Sequence, residues 1–424
     1  MTLSDIMSGG EEAAGRGRVQ SNSHIHLPPN FSAFSTVAQA VTLAREAGLN
    51  LLGASNYYDF TVYREFEAEA ERSGIFAAFG LEIIALLESL VQDGTRINDP
   101  ANPGKMYLCG KGITRFNPMS AEAARLLDVI RDSDARRIAS MTDLLTSLFE
   151  AAGGPVALDA EGVKLRAASW YGCPVETVWL QERHLARAFQ EALFEVVPAG
   201  NRLAVLRSAS NSAPQCSPDD AAGVQAEIRA KLMKSGRPAF LPDTFVSFDH
   251  AYQLILALGG IPCYPVLADG ASPVCEYEAS PELLIQNLRE RNIHMAEFIP
   301  VRNSLQVLER YVPALREAGL VVTAGTEHNT PDLISLAPRA LGGAELRDDI
   351  ARIFSEGACV VAAHQVRAAR LEPGFVTETG ELNAAYGSQD ERISAFARAG
   401  ADEVWSVGAA QRSRTHGPHT DEAG

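Results

Sequence analysis

The sequence predicts an α/β fold, a β/α barrel with a helical subdomain inserted into it. Three observations predict this. Short apolar runs alternate with amphipathic helical stretches over residues 19–116 and again over 237–408, the signature of parallel β/α architecture. Between 117 and 236 the alternation stops and the pattern is mostly helical. Polar residues capable of chemistry recur where the apolar runs end, which is where such barrels collect functional side chains.

The elements follow in order. Residues 1–18, rich in Gly, Ala and charge, read as a disordered leader. The run from Val19 to Leu27 lies between Gly17 and Pro28-Pro29 and suits a strand. A helix follows at about 36–47, with Gly48 as its stop signal. Residues 49–55 form a second strand, ending at Asn56-Tyr57-Tyr58. A helix at about 61–72 leads to a third strand at 75–84, and a fourth is expected at 106–113. The inserted block holds helical segments near 120–133, 138–152 and 179–195, with a loop-like stretch at 207–222. Beyond Pro238, helices at about 249–258, 281–291, 303–318 and 345–356 precede strands at 260–267, 294–300, 320–326 and 358–364. A helix at 389–399 precedes a last strand at 403–407, and residues 409–424 read as a flexible tail. Eight or nine such units are enough to close a barrel.

Composition narrows the function. The chain has 424 residues and a net charge of −16, which argues against an extended nucleic-acid surface while leaving room for a small anionic substrate. Its six cysteines are widely spaced and none form a Cys-x-x-Cys pair, so a cysteine zinc site or disulfide framework is not expected. No basic-then-apolar leader and no apolar run of membrane-spanning length is visible, so a cytoplasmic protein without a membrane partner is expected.

The candidate site starts from His24 and His26. Side chains alternate along a strand, so residues two apart face the same way and two imidazoles can share one ion. Glu82 ends the third apolar run, where a carboxylate needs a partner. Glu327-His328 follows the strand at 320–326, although Thr330-Pro331-Asp332 beyond it also suits a helix start. Asn56 ends the second strand. Asp269 sits in Ala-Asp-Gly, which suits a turn as well as a site. His364 ends a predicted strand and suits packing. One barrel mouth would bring these residues together.

Over residues 20–335 the chain resembles the PHP (polymerase and histidinol phosphatase) family of metal-dependent phosphoesterases. The matching segments are His24-Ile25-His26, the stretch from Gly48 to Tyr57, Gly80-Leu81-Glu82-Ile83, Leu258 to Pro265, and Gly325-Thr326-Glu327-His328. In the insertion, Glu182-Arg183-His184-Leu185-Ala186 resembles the helix of family members acting on nucleotide phosphates or oligonucleotide ends. The resemblance implies a distorted (β/α)7 barrel, metal ligands at His24, His26, Glu82 and His328, catalytic roles for Glu327 and His328, and substrate contacts from Arg183, His184, Asn56 and Asp269. The chain departs from the family at several ligand positions. Asn56-Tyr57 stands for Asp-His, Tyr107 or Leu108 for a histidine on the fourth strand, Tyr264 for a histidine before Pro265, and Thr326 for an aspartate. Tyrosine is a poor ligand for such ions. One divalent ion (Zn, Mn or Fe) is therefore expected rather than a cluster. The expectation is a hydrolase, a phosphoesterase acting on a small phosphorylated metabolite or nucleotide through one metal-activated water. The alternatives are another metal-dependent reaction of a small polar metabolite, or a metal-depleted binding protein.

Overall fold

The computed structural model describes residues 17–242 and 245–415. Eight strands form one sheet: β1 (Ser21–Ile25), β2 (Leu51–Ala54), β3 (Phe76–Leu86), β4 (Lys105–Lys111), β5 (Val246–Ser247), β6 (Ile261–Val266), β7 (Met295–Phe298) and β8 (Val321–Ala324). Seven run in the order β1-β2-β3-β4-β6-β7-β8, and β5 adds to the end of β3. The barrel nearly closes. Just past β8, Thr326 N and Glu327 N donate to His24 O, and His26 N donates to Glu327 O at 2.8 Å.

Most neighbours are parallel and joined by helices, because a parallel crossover needs one. The exception is β4, which is antiparallel to both β3 and β6. The loop from β3 to β4 holds only the short helix Glu88–Gln92, so the chain turns back instead of crossing over. The reversal puts Lys105 and Tyr107 at the mouth and Lys111 deep inside.

The apolar run at 358–364 is not a strand. It lies in the helix Asp348–Ala369, and the expected strand at 403–407 lies in the helix Gln389–Thr415. A short apolar run reads alike as a buried strand or an all-round buried helix. Here Ala358–Ala363 is buried on every side. It packs with Phe375 and Phe396 against residues near the floor ends of the strands, among them Leu51, Ile261, Met295 and Val321. These helices plug the floor of the barrel and leave the opposite end for the site. Residues 409–415, expected in a loose tail, continue the second helix; residues 1–16 and 416–424, including His416 and His419, lie outside the described residues. Among the described residues no helix is long and apolar enough to cross a membrane.

The block after β4 is helical as the sequence predicts. The two segments at 120–133 and 138–152 are one helix, Ala121–Ala151, capped by Ser120 Oγ on Ala123 N. The insertion has its own apolar core, including Met141, Phe149, Phe189 and Leu193, separate from the barrel core. It docks on the mouth through polar contacts: Gln181 Oε1 accepts from Phe31 N at 2.7 Å, and Arg131 donates to Tyr58 O.

Candidate metal centre

At the mouth, β1 and β3 bring three groups to one point. His24 Nε2 lies 3.4 Å from His26 Nε2 and 3.4 Å from Glu82 Oε2, and His26 Nε2 lies 3.2 Å from Glu82 Oε2. All three residues are buried. Glu82 Oε2 has no hydrogen-bond partner of acceptable geometry. A buried carboxylate oxygen without a donor is costly. Three ligands at about 2.0–2.1 Å from a tetrahedral ion stand roughly 3.3 Å apart, so the triangle has the dimensions of one face of such a site. The orphaned oxygen and these edges fit a single divalent ion held by His24, His26 and Glu82. Burial resists ionisation of Glu82, but the two imidazoles against it hold its carboxyl well below the usual range.

Sequence reasoning did not single out Glu297, on β7. Its Oε2 is 2.6 Å from His24 Nδ1 and 2.7 Å from Lys111 Nζ. The signal was an acidic residue inside the apolar run Met-Ala-Glu-Phe-Ile, the same signal that marked Glu82. Burial and Lys111 work against protonation of His24, and Glu297 and Glu82 outweigh them, raising its pKa. His24, Cys109 and Glu297 make a second ligand-like group, but the Lys111 ammonium lies against two of its members.

Three of the expected ligands converge; His328 does not join them. Its Nδ1 is 2.7 Å from Thr326 Oγ1, its Nε2 is 3.1 Å from Ile334 O, and its ring stacks on Phe34. Both nitrogens are thus engaged by the closing loop. Glu327 reaches the cavity, but its oxygens hold Arg302, with Nη1 at 2.7 Å from Oε1, and Asn329 Nδ2 at 2.7 Å. Glu327 and His328 both have positive φ, 60° and 52°, which this side-chain packing maintains.

The expected substrate contacts divide likewise. Arg183 lines a cavity of about 790 Å³ between the mouth and the insertion, with His24, Glu82, Tyr107, Arg229 and Arg302 among its walls. Burial and the charge of Arg229 push its pKa down to about 10, so it stays cationic at neutral pH. His184 instead caps its own helix: its Nδ1 accepts from Gln181 N at 2.9 Å and burial pushes its pKa down to about 3. The Asn56 amide bridges Leu27 N and Leu27 O, stapling β2 to the loop after β1. Asp269 sits in the short turn Ala268–Gly270 and accepts from Asn303 Nδ2 and Ser304 N, tying that turn to the loop after β7. Neither Asn56 nor Asp269 lines the cavity.

The tyrosines at altered positions have distinct uses. Tyr264 donates to Glu278 Oε2 at 3.0 Å, under the loop that follows β6. Tyr57 stacks on His26 at 5.2 Å between ring centroids, and burial with the nearby Glu82 charge keeps it a neutral phenol. At these two positions the chain therefore offers phenols rather than imidazoles, and Tyr57 covers one face of His26.

No family model matches the chain and no curated protein matches it. Solved structures do share its fold. One is a protein from Bifidobacterium adolescentis assigned as a metal-dependent phosphoesterase, with 16% identity and a TM-score of 0.51 over 79% of this chain and 94% of that one. Another is an amidohydrolase from Chromobacterium violaceum, solved with sulfate and without metal, with 16% identity and a TM-score of 0.50 over 77% and 94%. At this identity the likeness establishes the fold, an α/β barrel of the kind that these hydrolases use.

Proposed function

We propose that the chain is a metal-dependent hydrolase of the PHP type that cleaves a phosphate ester of a small metabolite or nucleotide, using one divalent ion. The observation that carries this is the buried triangle of His24 Nε2, His26 Nε2 and Glu82 Oε2, with edges of 3.2–3.4 Å and an orphaned oxygen. His24, His26 and Glu82 would hold a divalent ion, which would supply an acidified water and polarise the scissile group. The rest is the work of the side chains. Arg183 and Arg229 face the cavity without an ion-pair partner among the described residues, and Arg229 Nε is buried without a hydrogen-bond partner. Their guanidiniums would bind and orient an anionic group bidentately. Glu327 holds Arg302 beside them, and residues of the insertion line one side of the cavity. The expected partner is a small anionic substrate rather than a nucleic-acid strand or a membrane.

The altered ligand positions favour a second reading, a binding protein that has lost catalysis, because Tyr57 and Tyr264 supply phenols where imidazoles would bind further ions. Metal analysis of the purified chain, with a screen of phosphate esters, sugars and amides after addition of Zn²⁺, Mn²⁺ or Fe²⁺, separates them. About one ion per chain and metal-dependent phosphate release support the hydrolase. An ion bound without turnover of any ester, sugar or amide supports the binding protein, and no bound ion overturns the metal centre itself.

A further inference from the structure

We propose that Glu297 and Lys111 form a buried positioning pair that holds His24 in its Nδ1–H tautomer and aims its Nε2 lone pair at the metal position. The inference rests on the metal-centre reading above and adds residues to it. Lys111 has three N–H donors and three close acceptors: Glu297 Oε2 at 2.7 Å, Ser23 O at 2.9 Å and Ser55 Oγ at 3.0 Å. With its protons so placed, Lys111 has none to give His24 Nδ1, 3.5 Å away. His24 Nδ1 lies 2.6 Å from the Glu297 carboxylate oxygen. Two lone pairs would repel at that distance, so Nδ1 carries the proton. In the neutral imidazole Nε2 is then bare, and it is the nitrogen that faces His26 and Glu82.

Glu297 is wholly buried, and an isolated charge there would be prohibitive. Lys111 supplies the compensating charge, and Thr323 Oγ1, 3.3 Å from Oε1, supplies a further donor. The reversed direction of β4 is what places a lysine at this depth. Its ammonium also blocks the alternative group of His24, Cys109 and Glu297, so the ion is directed to the Nε2 side. A carboxylate behind a ligating histidine commonly raises ion affinity, and its loss costs about 10–100-fold.

The test uses the full chain and the ions alone. Zn²⁺ affinity is measured by competition with a chromophoric chelator, and the Co²⁺ d–d absorption reports the ligand field. In Glu297→Gln, Zn²⁺ affinity should fall about 10–100-fold with a changed Co²⁺ spectrum, while circular dichroism and the melting of the metal-free chain stay close to wild type. Lys111→Met should weaken binding likewise. Because either variant risks misfolding, the tautomer is also read directly in the wild type. Long-range ¹H–¹⁵N correlation of ¹⁵N-histidine chain loaded with Zn²⁺ should show His24 protonated at Nδ1 and shifted by metal at Nε2. Wild-type Zn²⁺ binding with a folded Glu297→Gln within twofold of it, or a metallated Nδ1, overturns the pair and leaves the metal centre standing. A wild type that binds neither Zn²⁺ nor Co²⁺ overturns both.

Discussion

Gly325 lies against His24 where the barrel closes. A Cβ built on Gly325 falls 2.3 Å from His24 Cβ and 3.0 Å from His24 N. Neither strand can yield cheaply, because Gly325 N donates to Phe298 O while Thr326 N and Glu327 N donate to His24 O. Gly325→Ala should therefore cost about 1–3 kcal/mol of stability, as overpacking does, and should also weaken metal binding by displacing a ligand. Thermal unfolding with and without Zn²⁺ measures both. Gly17→Ala, with open space around it, is the control and should change neither.

Ligand identity gives a second test. An ion that binds only the folded chain stabilises it by about 2.7 kcal/mol at a hundred times its dissociation constant. The wild type should melt higher with Zn²⁺, and Glu82→Gln and His26→Ala should lose that rise. His328→Ala should keep it, since both its ring nitrogens are occupied by Thr326 and Ile334. A rise that vanishes in His328→Ala would return that residue to the ligand set.

The site was legible in part, and for a physical reason. His24 and His26 carry their relation in the sequence, because alternation along a strand fixes their common face. Glu82 was marked by a charge in an apolar run. Glu297 carried the same mark, but its role depends on Lys111, and the direction of β4 cannot be read from its residues alone. His328 was misplaced because the chain turns through two successive left-handed residues there, which local pattern does not reveal. The helix over 358–364 was read as a strand because burial on all sides removes the 3.6-residue periodicity.

Three buried groups away from the metal centre contribute to the pH dependence of stability. Burial pushes His184 down to about 3 and His364 to about 4. Their contribution is complete above the unfolded value near 6.5 and is lost as pH falls through the range from there to about 4 and then 3. Burial pushes Glu278 up to about 8 against donors at Ala268 N, Leu267 N and Tyr264. Its contribution is complete below the unfolded value near 4.5 and is lost as pH rises through about 8. Melting of the metal-free chain should thus fall on both sides, and Glu278→Gln should flatten the alkaline limb alone. An alkaline limb unchanged in Glu278→Gln would mean that this carboxyl is already ionised in the fold.

The two arginines of the cavity should respond in opposite senses. Arg183 has no ion-pair partner among the described residues, and after burial the like charge of Arg229 is the strongest influence on it. Removing it relieves repulsion and desolvation but deletes a donor aimed at the cavity. Arg302 is the reverse case: it is bonded through two nitrogens to Glu327, whose side chain is only 12% exposed. Removing Arg302 leaves a largely buried carboxylate uncompensated. Arg183→Met should therefore melt at or above the wild-type temperature while KM for a phosphate ester rises about 10-fold or more, the cost of a lost charge-assisted hydrogen bond of roughly 1.5–3 kcal/mol. Arg302→Met should melt lower, and Arg302→Met with Glu327→Gln should recover most of that loss. If Arg183→Met is the destabilised variant and leaves KM unchanged, the guanidinium serves the fold of the insertion and the anion is bound elsewhere.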